Sequence, residues 1–244
     1  MIGACSEKGG ILIAAATGNA HKLGEFRAIF SAFLPEDALT VMSQKDVSAI
    51  TGQKYIAPEE SGSTFGENAY IKASSLDNFI FASDAFRSFA SGFKAVCVIA
   101  DDSGLCVDAL GGAPGIYSAR YASEPGSFED ADDLKNVEKL LKNMTDVPDD
   151  RRTGRFECHI SALVRFGKAP LYSEVRIETS GDLKGYIARE MSGSGGFGYD
   201  PVLYLPEFGK TTAMLDPEEK NRISHRGRAL RKAAELIYDC VAKL

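Results

Sequence analysis

The chain lacks the features that mark membrane, disulfide-rich and nucleic-acid-coating proteins. The apolar run over 11–16 is too short for a signal peptide or a membrane span. The five cysteines are scattered and form no Cys-x-x-Cys pair, so they support neither a zinc ribbon nor a disulfide framework. The formal net charge of −6 argues against a polyanion-binding surface, because affinity for nucleic acid comes mainly from neutralising phosphates. We therefore expect a cytoplasmic protein with no membrane or nucleic-acid partner.

What remains is an ordinary globular composition, with 44% hydrophobic and 25% charged residues over 244 positions. We find no internal repeat, low-complexity tract or linker. Cys97 and Cys158 lie in apolar, strand-like runs. We expect both to be small buried hydrophobic side chains, which suits a reducing compartment.

A strand-like apolar run in the middle of the chain leads directly into two acids. Residues 95–100 are apolar, and Asp101, Asp102, Ser103 and Gly104 follow them. Carboxylates disfavour strands and are costly when buried unpaired. We therefore predict a strand end that opens onto water, a metal or a phosphate, since ligands of open α/β sheets bind at such ends. A simple turn is the alternative, because Asp, Ser and Gly are common turn residues.

The N-terminal part of the chain predicts a strand, a tight turn and a helix. The strand covers 11–16, and apolar residues at helical spacing predict a helix that Pro35 ends. The turn Thr17-Gly18-Asn19 precedes this helix, and Lys22 lies one turn into it. Free backbone N–H groups and a lysine at a helix N-terminus favour an anion site. The alternative is simple capping of the helix by Asn19 or Thr17.

A second polar segment precedes another predicted helix. Thr64 and Glu67 form a capping box, which predicts that the helix begins there. Lys72 lies near its N-terminus, where it is either a ligand-binding or an idle exposed lysine. Glu59 and Glu60 come just before the helix and are candidate metal ligands, or only a solvated turn.

The other patterns complete an α/β protein. Helical spacing of phenylalanines predicts a short helix over 83–93, and strict alternation predicts a strand over 156–166. A turn over 167–170 leads into a returning strand over 171–179. We expect the fold class to be α/β, with a long mixed β-sheet flanked by helices and two lobes around a central cleft.

Two C-terminal segments carry the remaining chemistry. Glycines 193, 195 and 198 match Gly-x-Gly-x-x-Gly, but a strand rather than a helix is predicted after them, which argues against a dinucleotide site. Phe197 or Tyr199 in this segment could stack on a flat ligand. Asp216-Pro217 predicts the start of a basic terminal helix. Its cations line a pocket, form a solvated face, or bind nucleic acid.

Taken together, these segments resemble the inosine triphosphate pyrophosphatase family, the Ham1-like group of non-canonical purine nucleotide pyrophosphatases. The resemblance lies in six blocks that occur in the family's order: Thr17-Gly18-Asn19 with Lys22, the run over 59–69, Ala100 to Gly104, Gly111 to Tyr121, Gly195 to Pro201, and Ser224 to Gly227. It implies hydrolysis of ITP, dITP and XTP to the monophosphate and pyrophosphate, with Mg²⁺ as cofactor. It also implies a single nucleotide pyrophosphatase domain over 1–244 and a homodimer.

The resemblance also assigns roles to individual residues. The triphosphate-binding residues would be Thr17, Gly18, Asn19, Lys22, Lys72 and Ser103. Asp102 would accept a proton and bind the metal together with Glu59 or Glu60. The base-binding residues would be Phe197, Gly198, Tyr199, Asp200, Lys220, His225 and Arg226.

The residue chemistry agrees with these roles, and two alternatives stay open. Paired carboxylates suit a Mg²⁺–triphosphate complex, and cations at the base suit a 6-keto acceptor but not the 6-amino donor of adenine. A Maf-like nucleotide pyrophosphatase of other base specificity is one alternative. A non-enzymatic nucleotide-binding or RNA-binding module is the other, for which the basic residues over 220–232 are the argument.

Overall fold

The structure, a computed structural model, describes residues 9–33, 38–124, 129–168 and 171–243. Its strands are β1 (Ile11–Ala15), β2 (Leu39–Met42), β3 (Ala95–Val107), β4 (Thr153–Lys168), β5 (Leu171–Ile187), β6 (Leu203–Leu205) and β7 (Lys210–Thr211). Its helices are α1 (Ala20–Ser31), α2 (Gln44–Thr51), α3 (Phe65–Phe81), α4 (Asp84–Ala90), α5 (Asp133–Asn143), α6 (Pro217–Ile223) and α7 (His225–Ala242). Cys5, Pro35 and the turn residues Ala169 and Pro170 lie outside the described residues.

The described strands form a seven-stranded mixed sheet in the order β2-β1-β3-β4-β5-β6-β7. β1 runs parallel to β2 and β3, and each later neighbouring pair is antiparallel. The predicted α/β class with a long mixed sheet is confirmed. The predicted hairpin is present as β4 and β5, but β5 continues to Ile187 instead of ending at Thr179, because its pairing with β4 extends to Thr153.

Side-chain alternation along the central strands separates the two faces of the sheet. Ile11 and Ile13 pack with residues of α1 and α7, whereas Leu12 and Ala14 pack with residues of α2, α3 and α4. The same alternation continues in β3, where Cys97 belongs to the first cluster. Successive strand residues point to opposite faces. The residues of β3 from Ala95 to Ala100 therefore alternate between the α1–α7 layer and the α3 layer.

Local capping chemistry explains where the helices begin. Asn19 caps α1, and Thr64 with Glu67 forms the predicted capping box of α3. The short helix predicted over 83–93 is α4. The pattern over 36–58 did not predict α2, whose own capping box places it at Gln44–Thr51.

The C-terminal segment differs from the single terminal helix that the pattern predicts. It contains two helices, α6 and α7, which meet at Ser224. Ser224 has an extended backbone, with ψ of 153°, and its side chain accepts a hydrogen bond from the backbone N–H of Gly227. A residue that caps a new helix cannot continue the previous one. The break brings His225 and Arg226 to the N-terminal end of α7.

The two acids in the middle of the chain do not lie at the end of their own strand, which corrects the prediction. β3 continues through them to Val107, and Asp101 and Asp102 pair with Ile160 and His159 of β4. The strand that ends nearby is β1, whose last partner on β3 is Ile99. The antiparallel pairing with β4 supports β3 beyond this point. One edge of β3 is thus uncovered beside the two acids.

Gly181 of β5 lies close against the backbone of α7, and this contact gives a stability prediction. A Cβ there would lie 2.3 Å from the carbonyl oxygen of His225 and 2.8 Å from the backbone nitrogen of Ala229. We expect G181A to lower the free energy of unfolding by about 1–3 kcal/mol through overpacking. Gly24 is an exposed position of α1 and gives the matched variant, G24A. The new Cβ of this variant would have no atom within 4 Å. Helix propensity then predicts a gain of about 0.5–1 kcal/mol. Denaturant unfolding measures both changes, and equal effects would contradict this account.

Candidate active site

The two adjacent acids, Asp101 and Asp102, pair with different sets of charged side chains because they point to opposite faces of the sheet. Asp101 continues the face that packs against α1 and α7, and Asp102 continues the face that packs against α3. Accordingly, Asp101 contacts Lys22 of α1 and Arg226 of α7, whereas Asp102 contacts Lys72 of α3. The strand therefore gives two chemically similar residues two different environments.

Asp101 is the buried centre of the first set. Its side chain is 2% exposed, and its Oδ2 lies 2.9 Å from Lys22 Nζ and 3.0 Å from Arg226 Nε. Burial alone would raise the pKa of Asp101, but Lys22 and Arg226 outweigh burial and hold the pKa well below its ordinary value. Arg226 also donates to Glu25 and to Ser103 Oγ, each at 3.0 Å. All three nitrogens of this guanidinium are therefore bonded.

Asp102 belongs to the second set, with Lys72 between it and Glu60. Lys72 Nζ lies 3.0 Å from both Asp102 Oδ1 and Glu60 Oε1. Burial raises the pKa of Asp102; Lys72 opposes this rise and Glu60 adds to it. For Lys72, burial disfavours the charge, but the carboxylates of Asp102, Asp101 and Glu60 outweigh burial and raise the pKa. The arrangement is a shared lysine between two carboxylates.

The N-terminal turn caps α1, as one interpretation predicts, and it also lines a cavity that Lys72 and Phe197 share. Asn19 Oδ1 accepts hydrogen bonds from the backbone N–H groups of His21 and Lys22, and Thr17 Oγ1 accepts one from that of Asn19. This cavity is lined at the turn by Thr17, Gly18, Asn19 and Lys22. Capping therefore occupies the backbone N–H groups of Asn19, His21 and Lys22, so the anion-binding interpretation rests on the side chain of Lys22.

An aromatic ring flanked by cations forms the other end of the cavity. The ring of Phe197 is 39% exposed, and Lys220 Nζ and the guanidinium carbon of Arg226 lie 5.2 Å and 5.6 Å from its centre. Asp200 is buried and accepts hydrogen bonds from Lys220 Nζ at 2.6 Å and the backbone N–H of Phe197 at 2.8 Å. Tyr199 is buried and donates its hydroxyl to the carbonyl of Ser118.

His225 lies beside this aromatic end and is held neutral. Its ring stacks on Phe156, with ring centres 4.9 Å apart, and its Nδ1 is buried without a hydrogen-bond partner among the described residues. Burial, together with the positive charges of Arg226 and Lys220, lowers the pKa of His225 well below its ordinary value of 6.5. A neutral imidazole offers one donor and one acceptor to a ligand.

The neutral state of His225 predicts how stability depends on pH. Below about pH 6.5 the unfolded chain takes up a proton at this histidine and the folded protein does not. The contribution of the neutral His225 to the free energy of unfolding is therefore complete above that pH and is lost as the pH falls. We expect the stability difference between wild type and H225Q to shift by about 1 kcal/mol against the wild type from pH 6.5 to 5.5, because half of the unfolded chains already carry the proton at pH 6.5. Urea unfolding across this range measures the shift. Parallel pH profiles would contradict a neutral, buried His225.

A cavity of about 600 Å³ joins these groups. The predicted site residues that line it are Thr17, Gly18, Asn19, Lys22, Glu60, Lys72, Ser103, Phe197, Gly198, Tyr199, Asp200, Lys220, His225 and Arg226. Asp102 is not in direct contact with the cavity but reaches its wall through Lys72. Glu59 is exposed and outside the cavity wall, so the geometry favours Glu60.

Sequence reasoning missed three further acids in the cavity wall, Glu25, Asp130 and Asp133. Glu25 pairs with Arg226, and Asp133 accepts a hydrogen bond from the backbone N–H of Gly198. Glu25 lies three residues after Lys22 on α1, so helical spacing carried a signal for it. No local signal connects Asp133 to Gly198, because 65 positions separate them.

The oxygen atoms beside Lys72 fit a Mg²⁺ ion. Asp102 Oδ2 is buried and has no hydrogen-bond partner among the described residues, and Glu60 supplies a second carboxylate. Within the described residues, no group of three or more His, Cys, Asp or Glu side chains could hold a metal by itself. Mg²⁺ is commonly held by one or two carboxylates, with substrate phosphates and water completing its shell. The donor set therefore suits Mg²⁺ bound together with a phosphate ligand.

The fold and the site define an α/β protein with a cleft that joins lysines and carboxylates at one end to an exposed aromatic ring at the other. The family model of the Ham1 family matches residues 13–236. The chain is 44% identical over 216 residues to a dITP/XTP pyrophosphatase of Escherichia coli K12, covering 88% of this chain and 92% of that protein. A dITP/XTP pyrophosphatase of Listeria monocytogenes is 40% identical over 94% of this chain and 96% of its own length.

A solved structure agrees with these similarities in sequence. The HAM1 protein from Coxiella burnetii superposes with a TM-score of 0.67 at 33% identity, covering 94% of this chain and 99% of that one. The chain belongs to the Ham1 family. Across the part of the chain that the structure describes, every helix is too short or too polar to cross a membrane.

Proposed function

We propose that this protein hydrolyses non-canonical purine nucleoside triphosphates such as dITP, ITP and XTP to the monophosphate and pyrophosphate. The proposal rests on one cavity that has two chemically different ends. One end holds lysines and carboxylates, and the other holds an aromatic ring with polar groups around it. The first end suits a Mg²⁺–triphosphate and the second suits a purine base. The names of the similar proteins from Escherichia coli and Listeria monocytogenes support the same substrate class.

In this proposal the triphosphate first reorganises the lysines. In the free protein, Lys22 forms an ion pair with Asp101. Lys72 forms ion pairs with Asp102 and Glu60. A triphosphate offers both lysines a stronger partner. Movement of Lys72 toward phosphate frees the oxygens of Asp102 and Glu60.

The freed Asp102 then acts on the attacking water. It accepts a proton as the water oxygen bonds to phosphorus and the α–β phosphoanhydride bond breaks, which releases pyrophosphate. In the metal-free protein, burial raises the pKa of Asp102 above its ordinary value. Mg²⁺, held by Asp102 and Glu60, would neutralise charge on the phosphate oxygens. The lysines stay close enough to stabilise the charge that develops.

The aromatic end distinguishes the bases in this account. Phe197 presents an exposed face on which a purine can stack. Lys220 donates one of its N–H groups to Asp200, and the other N–H groups can donate to a 6-keto oxygen of the base. The 6-amino group of adenine is a donor and would offer the remaining N–H groups of Lys220 no acceptor. ITP and XTP carry the matching keto group.

A substrate panel tests the proposed function. Pyrophosphate release with Mg²⁺ should be much faster for dITP, ITP and XTP than for dATP or for pyrimidine triphosphates. A preference for pyrimidine or other modified nucleotides would favour a Maf-like specificity. Binding of nucleotides or RNA with no turnover of any triphosphate would favour a non-enzymatic module.

Paired variants of the two glutamates test the proposed metal ligand. E60Q removes a carboxylate that lies 3.0 Å from Lys72, and we expect it to raise the Mg²⁺ concentration for half-maximal activity by about 10–100-fold. E59Q changes an exposed neighbour and should leave the Mg²⁺ dependence unchanged. Titration of activity with Mg²⁺ measures both. The opposite pattern would assign the metal to Glu59.

We also propose a cytoplasmic homodimer built from a single domain over 1–244. Free thiols at Cys97, Cys106 and Cys158, all buried, support a reducing compartment. The side chains of Glu178, Ser180 and Lys184, at alternating positions of β5, are partly or largely exposed and leave room for a partner. Sedimentation equilibrium over a concentration series measures the oligomeric state, and a monomer at every concentration would contradict the dimer.

A further inference from the structure

Phe197 lies in a segment that has no regular secondary structure to fix it. Neither helix nor strand covers 188–202, and Gly196 and Gly198 on either side of Phe197 have φ of 79° and 58°. Glycines at positive φ are conformationally permissive, so the backbone around this ring gains little rigidity from its own chain. Other groups must hold the ring in a defined place.

Two carboxylates bind the successive backbone N–H groups of Phe197 and Gly198. Asp200 Oδ2 accepts from Phe197 at 2.8 Å, within the same turn. Asp133 Oδ2 accepts from Gly198 at 2.7 Å and belongs to α5, on a distant part of the chain. The bond from Asp133 thus ties the aromatic segment to the N-terminal end of α5.

Asp133 is not needed to cap the helix that it begins. The N-cap of α5 is Asp132, whose side chain accepts the backbone N–H of Leu134 at 2.9 Å. The neighbouring acid therefore performs the capping, and the carboxylate of Asp133 is directed to Gly198. Asp133 also lines the main cavity, as do Phe197 and Gly198.

We infer that Asp133 is a positioning residue for base recognition: its bond to the Gly198 N–H holds Phe197 where the purine stacks. This inference rests on the proposed function. The charged acceptor makes a stronger bond than a neutral one, which suits a glycine-rich segment that is costly to order. Loss of the bond would loosen the base-binding end and leave the carboxylates and lysines of the phosphate end unchanged.

Kinetics of D133A separate the two ends of the site. We expect KM for dITP to rise about tenfold, the loss of one charge-assisted hydrogen bond, with kcat changed less than about twofold. The inhibition constant of dIMP should rise in parallel, and that of inorganic pyrophosphate should not change. D133N keeps an acceptor oxygen and should recover most of the wild-type KM. The matched control D132A removes the helix cap, so it should lower Tm without changing KM.

Hydrogen exchange tests the bond itself without relying on activity. The amides over 195–200 should exchange faster in D133A than in wild type, and at the wild-type rate in D132A. Unchanged exchange and an unchanged dIMP inhibition constant in D133A would overturn the inference, as would an equal rise in the pyrophosphate constant. Wild-type protein without activity on dITP would overturn the proposed function, whereas the exchange rates would still decide whether Asp133 holds the segment.

Discussion

D102N is expected to lower kcat for dITP hydrolysis by about 10²–10⁴-fold, the usual contribution of a general base. Asparagine has nearly the same shape and keeps an oxygen for Lys72, which lies 3.0 Å from Asp102 Oδ1. It cannot accept the proton of the attacking water. KM should therefore change much less than kcat. Steady-state kinetics with saturating Mg²⁺ measure both constants.

The control for this variant is an acid just beyond the end of the strand that contains Asp102. Asp108 comes directly after β3, is exposed, and accepts a hydrogen bond from Thr153 Oγ1. D108N should keep the wild-type kcat. Near-wild-type turnover by D102N, with the fold intact by circular dichroism, would show that another group accepts the proton.

R226M should cause the largest loss of stability among these variants, about 3–5 kcal/mol. Arg226 is 3% exposed and bonds to Asp101, Glu25 and Ser103. Methionine fills much of the same volume without the charge. Asp101 would then remain buried with Lys22 as its cationic partner, and Glu25 would lose its contact. Removing one member of a buried charge network leaves the others uncompensated.

Arg228 provides the matched control on the same helix. It is exposed and donates to the backbone carbonyl of Asp182. R228M should change the free energy of unfolding by less than about 1 kcal/mol, as surface substitutions usually do. Chemical denaturation at pH 7 measures both variants. Equal losses for R226M and R228M would show that the Asp101 network contributes little to the fold.

The sequence predicts elements whose signals are local. The capping box of Thr64 and Glu67 lies within one turn, and the alternation over 156–166 records one strand with two faces. Both were found where the pattern indicated. The short helix over 83–93 was also present, as α4.

The misplaced strand end has a different origin. Whether Asp101 ends β3 depends on its pairing with Ile160, far along the chain, and on where β1 ends. Neither is encoded in Asp101, Asp102 and the residues next to them. The distinction between Asp101 and Asp102 follows from side-chain alternation only once β3 is known to continue.

The partners of the site were only partly predictable for the same reason. The resemblance to the Ham1-like family named Lys22, Lys72 and Arg226, and the structure brings them to one cavity. It did not reveal that Arg226 is engaged by Asp101 and Glu25, because three separate elements meet there. Long-range contacts of this kind determine how a site is held, and single-sequence patterns do not record them.

Identification of the products formed from dITP tests the central claim most directly. With Mg²⁺ and wild-type protein, ³¹P NMR should show dIMP and pyrophosphate in equal amounts, and dATP should stay nearly intact under the same conditions. Formation of dIDP and orthophosphate would contradict cleavage at the α–β bond. Equal hydrolysis of dATP would contradict base recognition by the end of the cavity at Phe197 and Lys220.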